Sequence, residues 1–162
     1  MILACTGHRP SLSTFPNNWR VTDHLQIMVR EYLKKTEPEL VLTSLDLGFD
    51  TAVALACLDR GIPYEALLPY VGMSDQWDAY DQNIFRKLLR QSADTRITDP
   101  TTHMLQRADR FLVLWNRWRF GPLPFCPRPE IKIHNLWGQF RKRDKRRGLT
   151  KPIRPNEPKY PV

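Results

Sequence analysis

The 162-residue chain has little cysteine: Cys5, Cys57 and Cys126 are odd in number, far apart, and form no CxxC or Cys/His pairing. That argues against a disulfide framework and against a zinc ligand set, so reduced thiols in a cytoplasmic protein and no metal are expected. No apolar run reaches the roughly 20 residues of a membrane helix, so no membrane partner is expected. The first residues lack a basic start, an apolar run and a small-residue cleavage site, so no secretory signal is expected. Internal repeats are missing, as is any RNA- or DNA-binding motif. Acidic residues are scarce at one end only. Residues 1–116 carry 12 Lys/Arg and 14 Asp/Glu, whereas residues 117–162 carry 13 and 3.

What is present fits a globular protein, with 41% hydrophobic and 26% charged residues and a net charge of +8. The length suits one domain with a sizeable core. The charge split describes a near-neutral body, 1–116, and a basic extension, 117–162, which also holds 8 of the 14 prolines.

Along the body, strand and helix patterns alternate. ILAC (2–5) reads as a short buried strand, and ELVLTS (39–44), IPYEALLPY (62–70), DTRI (94–97) and FLVLWN (111–116) as four more. Val21, Leu25, Met28, Val29 and Leu33 are spaced as one face of a helix over 19–35, capped by Asn18 or Thr22. The Ala- and Leu-rich stretch 47–61 predicts a second helix closed by Gly61. Helices over 79–92 and about 100–108 complete the set. Alternation with short connections predicts an α/β fold: a three-layer sandwich on a mostly parallel, five-stranded sheet. Ligands of such sheets bind outside the carboxyl ends of the strands.

Polar residues and glycines converge on that rim. The first strand ends in Thr6-Gly7-His8-Arg9-Pro10. Gly7 permits close approach, Arg9 suits bidentate contact with phosphate, and His8 is a donor or an acid–base group. The second strand ends at Ser44, with Asp46, Gly48 and Asp50 at the start of the next helix, where free N–H groups favour an anion. Asp50 has two readings there. One is a favourable charge against the helix dipole; the other is an acceptor from ribose hydroxyls or a group that polarises water. Thr6 and Ser44 offer hydroxyls to phosphate or sugar, or simply cap strand ends. Trp77 either lids the core or stacks on a base. Asn116 ends the fifth strand.

TGHRP after the first strand, GFDTAVALACLDRGIPYEALLPY after the second, a Trp before a helix and MLQRADRFLVLWN together resemble the YpsA-like branch of the SLOG superfamily over residues 1–116. Those proteins are Rossmann-like nucleotide-binding domains related to the DprA domain and to the lonely-guy phosphoribohydrolases. The resemblance implies ligand-rim roles for Gly7, His8 and Arg9, a second phosphate or ribose loop at Ser44, Gly48 and Asp50, and Trp77 beside the pocket. It also implies a homo-oligomer. The chain departs from the family at Pro100-Thr101, where an Arg-Asn pair is usual, and at WNRWRFGPLPFCP, where Trp-Asp-Gly and a Gly-Gly-Thr turn are usual. Asn116 replaces the acid, and the phosphate-cradling loop is missing.

The extension starts with Arg and aromatics interleaved. Ile133, Leu136, Trp137 and Phe140 then fall at i, i+3, i+4 and i+7, predicting a helix over about 130–147 docked on the body, with His134 beside the stripe. RKRDKRR places Arg141, Lys142, Arg143, Lys145, Arg146 and Arg147 in one run, either a solvated helix end or a weak nucleic-acid contact. The last residues, KPIRPNEPKYPV, read as an extended Pro-rich end. Three functions follow. The first is a sensor or carrier of a nucleotide or nucleotide-derived ligand, without a cofactor. The second is an N-glycosidic hydrolase with Asp50 or Asp46 as its carboxylate. The third is a nucleic-acid-binding module working through residues 141–147.

Overall fold

The computed structural model describes residues 1–125, 127–154 and 156. Cys126 and most of the final Pro-rich stretch therefore lie outside the described residues. Six strands form one sheet: β1 (Ile2–Gly7), β2 (Leu40–Thr43), β3 (Tyr64–Leu68), β4 (Asp94–Ile97), β5 (Arg110–Leu114) and β6 (Lys132–Asn135). Their spatial order is β4-β3-β2-β1-β5-β6, and every pairing is parallel. The chain winds outward from β1 to β4, then crosses back to the other side of β1. The topological switch point thus lies between β1 and β5.

Strand alternation sorts the core into two layers. Leu3, Cys5, Val41, Ala66, Leu68, Leu112 and Leu114 point to one face. There they meet α1 (Trp19–Thr36), α2 (Phe49–Arg60), α3 (Ala79–Gln91) and α6 (Trp137–Arg147). Ala4, Leu42, Leu67, Phe111 and Val113 point to the other, against Met104 of α4 (Pro100–Arg107) and against Ala108, Ile131, Leu123 and Phe125. Asn18 caps α1 by accepting from the Val21 N–H at 3.0 Å, which settles the choice between Asn18 and Thr22. Gly61 closes α2 in the left-handed region.

Two expectations are corrected. The sheet has six strands, and the sixth comes from the extension. The predicted helix over 130–147 is a strand at 132–135 followed by a helix at 137–147. Leu136, Trp137 and Phe140 bury as the stripe requires, but Ile133 pairs with Phe111 in the sheet and stays 41% exposed. The cause is an open edge on β5, whose N–H and C=O groups a helix there would leave unpaired. Asn135 ends the strand and starts the helix. Its Oδ1 accepts from the N–H groups of Trp115 and Trp137, at 3.1 and 3.0 Å, and its Nδ2 donates to the Trp115 carbonyl at 2.8 Å. His134 stacks on Tyr32 of α1, with ring centroids 4.8 Å apart. Ile131, Leu136, Trp137, Phe140 and Leu149 all join the core, so the compositional break at residue 117 is not a break in packing.

Candidate functional site: a hollow where three helices begin

The sequence-predicted rim residues do not gather round one ligand space. Gly7 admits a close approach, but by protein: a Cβ there would lie 2.6 Å from Cδ1 of Phe49 and 2.9 Å from Cβ of Leu114. His8 is buried rather than presented. Its Nε2 accepts from the Asn116 N–H at 2.8 Å, so the ring proton sits on Nδ1. Its ring stacks on Trp115, with centroids 4.5 Å apart, and touches Phe120 of the short helix α5 (Arg117–Phe120) and Trp137 of α6. Burial holds the His8 pKa below its ordinary value, so the imidazole is neutral near pH 7. Together with Asn116, which caps α5 by accepting from the Arg119 N–H, His8 ties the end of β1 to the end of β5. A phosphate-facing His8 is therefore replaced by a structural one.

At the β2–α2 turn, Arg9 reaches Asp46 and pairs with it, leaving its side chain 65% exposed. Gly48 is in the left-handed region at φ +86°, and a Cβ would meet Pro10 Cδ at 2.9 Å and the His8 carbonyl at 3.2 Å. Its missing side chain admits the 8–15 loop rather than a ligand backbone at that position. Ser44 donates its hydroxyl to Oδ2 of Asp50. Asp50 is only 3% exposed, and its Oδ1 is buried with no hydrogen-bond partner among the described residues. Burial is the largest influence and raises its pKa to about 7, with Asp46 adding to the rise and the Ser44 hydroxyl opposing it. A carboxyl that half-ionises near neutrality has the range of an acid–base group, but this one is sealed in the first turn of α2.

A hollow of about 240 Å³ lies beside that turn, where α1, α2 and α3 all begin. These helices follow β1, β2 and β3, so the hollow belongs to the carboxyl rim of the sheet. Leu47, Leu55 and Ile84 supply apolar walls, Trp19 and Tyr80 aromatic ones, and Asp23 and Asp81 carboxylates. Burial and the neighbouring Asp81 hold the Tyr80 phenol above its ordinary pKa, so it is a neutral hydroxyl. Asp81 accepts from Nδ2 of Asn17 at 2.7 Å. Gly48 lines the hollow, and Asp46, which precedes the lining residue Leu47, holds Arg9.

Trp77 is not part of this wall. It packs edge-on against Phe85, with ring centroids 5.3 Å apart, and its carbonyl accepts from Gln82, so its role is that of a lid over core. Thr6 faces the opposite layer and, with Gly7, lines a cleft of about 70 Å³ beside Thr101, Trp115 and Phe125. Sequence reading missed Trp19, Asp23, Tyr80 and Asp81. The available signal was their place in the first two turns of two amphipathic helices, off the apolar stripe.

The basic run divides as well. Arg141 pairs with Asp144 at 3.1 Å and Arg143 with Glu31 at 2.9 Å, while Lys142 is exposed. Lys145, Arg146 and Arg147 line a separate basic hollow. Among the described residues no three His, Cys, Asp or Glu side chains gather in a way that could hold a metal ion. Nor is any helix among them long and apolar enough to cross a membrane. No protein-family model matches the chain, and no curated protein matches it either.

Proposed function

We propose that the chain binds a nucleoside or nucleotide-derived ligand at the carboxyl rim of its sheet, as a sensor or carrier. The observation that carries this reading is the 240 Å³ hollow where three helices begin, with aromatic, apolar and carboxylate walls. A flat base suits Trp19 and Tyr80, and ribose hydroxyls can donate to Asp23 or Asp81. Two carboxylates in the wall disfavour a phosphate inside, which leaves Arg9, at the Asp46 turn, to take it. The likeness of residues 1–116 to the YpsA-like branch of the SLOG superfamily supports the same ligand class. The hydrolase reading gives its carboxylate to Asp50 or Asp46, and neither lines the hollow, whose carboxylates are Asp23 and Asp81.

The test is a thermal-shift and calorimetric screen with nucleosides and their monophosphates. Binding to the native state raises the melting temperature by mass action. Ile84→Trp, which fills the hollow from a half-buried position, is expected to abolish the shift. Arg9→Ala is expected to weaken monophosphates and spare nucleosides. No shift with any of these compounds, or full binding by Ile84→Trp, overturns the reading.

A further inference from the structure

The aromatic residues that open the basic extension divide into two kinds. Trp115 and Phe125 pack against the core, and Phe120 rests on the rings of His8 and Trp115. Trp118 instead faces solvent and is 100% exposed.

The turn that carries Trp118 is held at both ends. Asn116 caps α5 by accepting from the Arg119 N–H at 3.4 Å, and the Gly121 N–H closes it on the Arg117 carbonyl at 2.9 Å. Nε1 of Trp115 donates to the Gly121 carbonyl at 2.9 Å, and the Asn116 N–H donates to His8 at 2.8 Å. Helical residues are about 100° apart around the axis, so Phe120, anchored on His8, leaves Trp118 about 160° away, on the outer side. Arg117 and Arg119 then flank the indole, and both are exposed. From Arg110 to Pro129 the chain holds four arginines and no acidic residue.

A flat π face between two guanidinium groups, offered outward on a preorganised turn, matches the repeating unit of a single-stranded nucleic acid. A base stacks on the indole, and the phosphates on either side of that base meet the arginines. Other partners fit this surface less well. A duplex keeps its base faces stacked, and the four residues of α5 are too short to read a groove. A membrane interface takes several apolar side chains together, whereas the neighbours of Trp118 are cations and Phe120 is turned to His8. An apolar groove on a protein would take the indole and desolvate two guanidinium groups without a counter-charge. The net charge of +8 draws a polyanion toward the chain before contact. We propose that α5 is a stacking platform for single-stranded nucleic acid, with Trp118 under one base and Arg117 and Arg119 on its flanking phosphates. The platform is separate from the nucleoside hollow, which no residue of α5 lines.

The experiment is fluorescence anisotropy of a labelled oligothymidylate of about ten nucleotides, titrated with the full chain over a range of salt. The strand is expected to bind, and to bind more weakly as salt rises. Trp118→Ala, at a position whose full exposure keeps it out of the fold, is expected to weaken binding about tenfold, the worth of one stacked base. Trp118→Phe keeps a smaller face and should weaken it less. Arg117→Gln combined with Arg119→Gln should weaken binding and make the slope of log K against log salt shallower by about 1.4, for two lost phosphate contacts. Ile84→Trp, which fills the nucleoside hollow, should leave the strand bound, so failure of the nucleoside reading does not touch this one. The proposal is overturned if the strand does not bind, or if Trp118→Ala binds it as tightly as the wild type. It is overturned as well if Ile84→Trp abolishes binding, which would put the strand in the hollow. So too if Lys142→Ala, in the basic run of α6, weakens binding as much as Trp118→Ala does. Vesicles containing phosphatidylserine, bound through Trp118 in place of the strand, would overturn it in favour of a membrane surface.

Discussion

Replacing Asp50 with Asn should remove most of a pH dependence of stability that a single buried carboxyl imposes. In the folded protein the Asp50 pKa is about 7, against an ordinary 3.8. The folded state therefore holds a proton that the unfolded state has released anywhere between those two values. Stability tied to that proton is fully present below the unfolded pKa and is lost as pH rises through the folded one. Roughly three pH units at about 1.4 kcal/mol each make a loss of about 4 kcal/mol by pH 8.5. That is a large share of the roughly 5–15 kcal/mol by which domains are stable.

Asp50→Asn keeps an acceptor for Ser44 but buries an amide NH₂ where Oδ1 has no partner. At pH 4–5 the variant should be less stable by about 1–3 kcal/mol. By pH 8.5 it should match or exceed the wild type. Urea unfolding at several pH values, followed by the fluorescence of the five tryptophans, measures the difference directly. Subtracting the two curves cancels the titration of every other group, including His8 and His24, whose lowered pKa values act with the opposite sign. A wild-type-minus-variant difference that stays flat from pH 4 to pH 8.5 would refute the reasoning, because Asp50 would then titrate alike in both states.

Two further outcomes follow from the rim. Gly7→Ala should destabilise by about 1–3 kcal/mol, since the new methyl meets Phe49 and Leu114 at under 3 Å. Gly7→Ala with Phe49→Leu should recover part of that loss in thermal melts, and no recovery would argue against the Phe49 contact as its cause. His8 contributes stability above the ordinary histidine pKa that is lost as pH falls through its lowered folded value. His8→Gln can still accept from the Asn116 N–H without titrating, so between pH 7 and pH 5 the wild type should lose stability relative to the variant, the Asp50 gain being common to both. Equal slopes would show that His8 is not the group responsible.

The parts of this fold legible in the sequence are those that short-range chemistry settles. Asn18 before a helical stripe, Gly61 after one, and apolar strands at regular intervals are signals contained within a few residues. The 130–147 stretch shows where they stop being enough. Leu136, Trp137 and Phe140 bury on a helix stripe as expected, yet Ile133, at the right spacing, belongs to a strand because β5 offers an unpaired edge. Nothing local to Ile133 reports that edge.

The candidate site divides in the same way. Sequence alone determined that the chain alternates strand and helix, that polar residues crowd the carboxyl rim, and that charge is segregated toward one end. Periodicity, caps and composition carry that much. Tertiary structure decided which of those residues are available. It stacked His8 among Trp115, Phe120 and Trp137, set Asp46 against Arg9, and closed Ser44 over Asp50. It also brought Arg20 to the end of α6, with about 125 residues of chain between them. A side chain's partners and its exposure depend on what packs against it from distant parts of the chain, and those distances in sequence leave no local pattern to read.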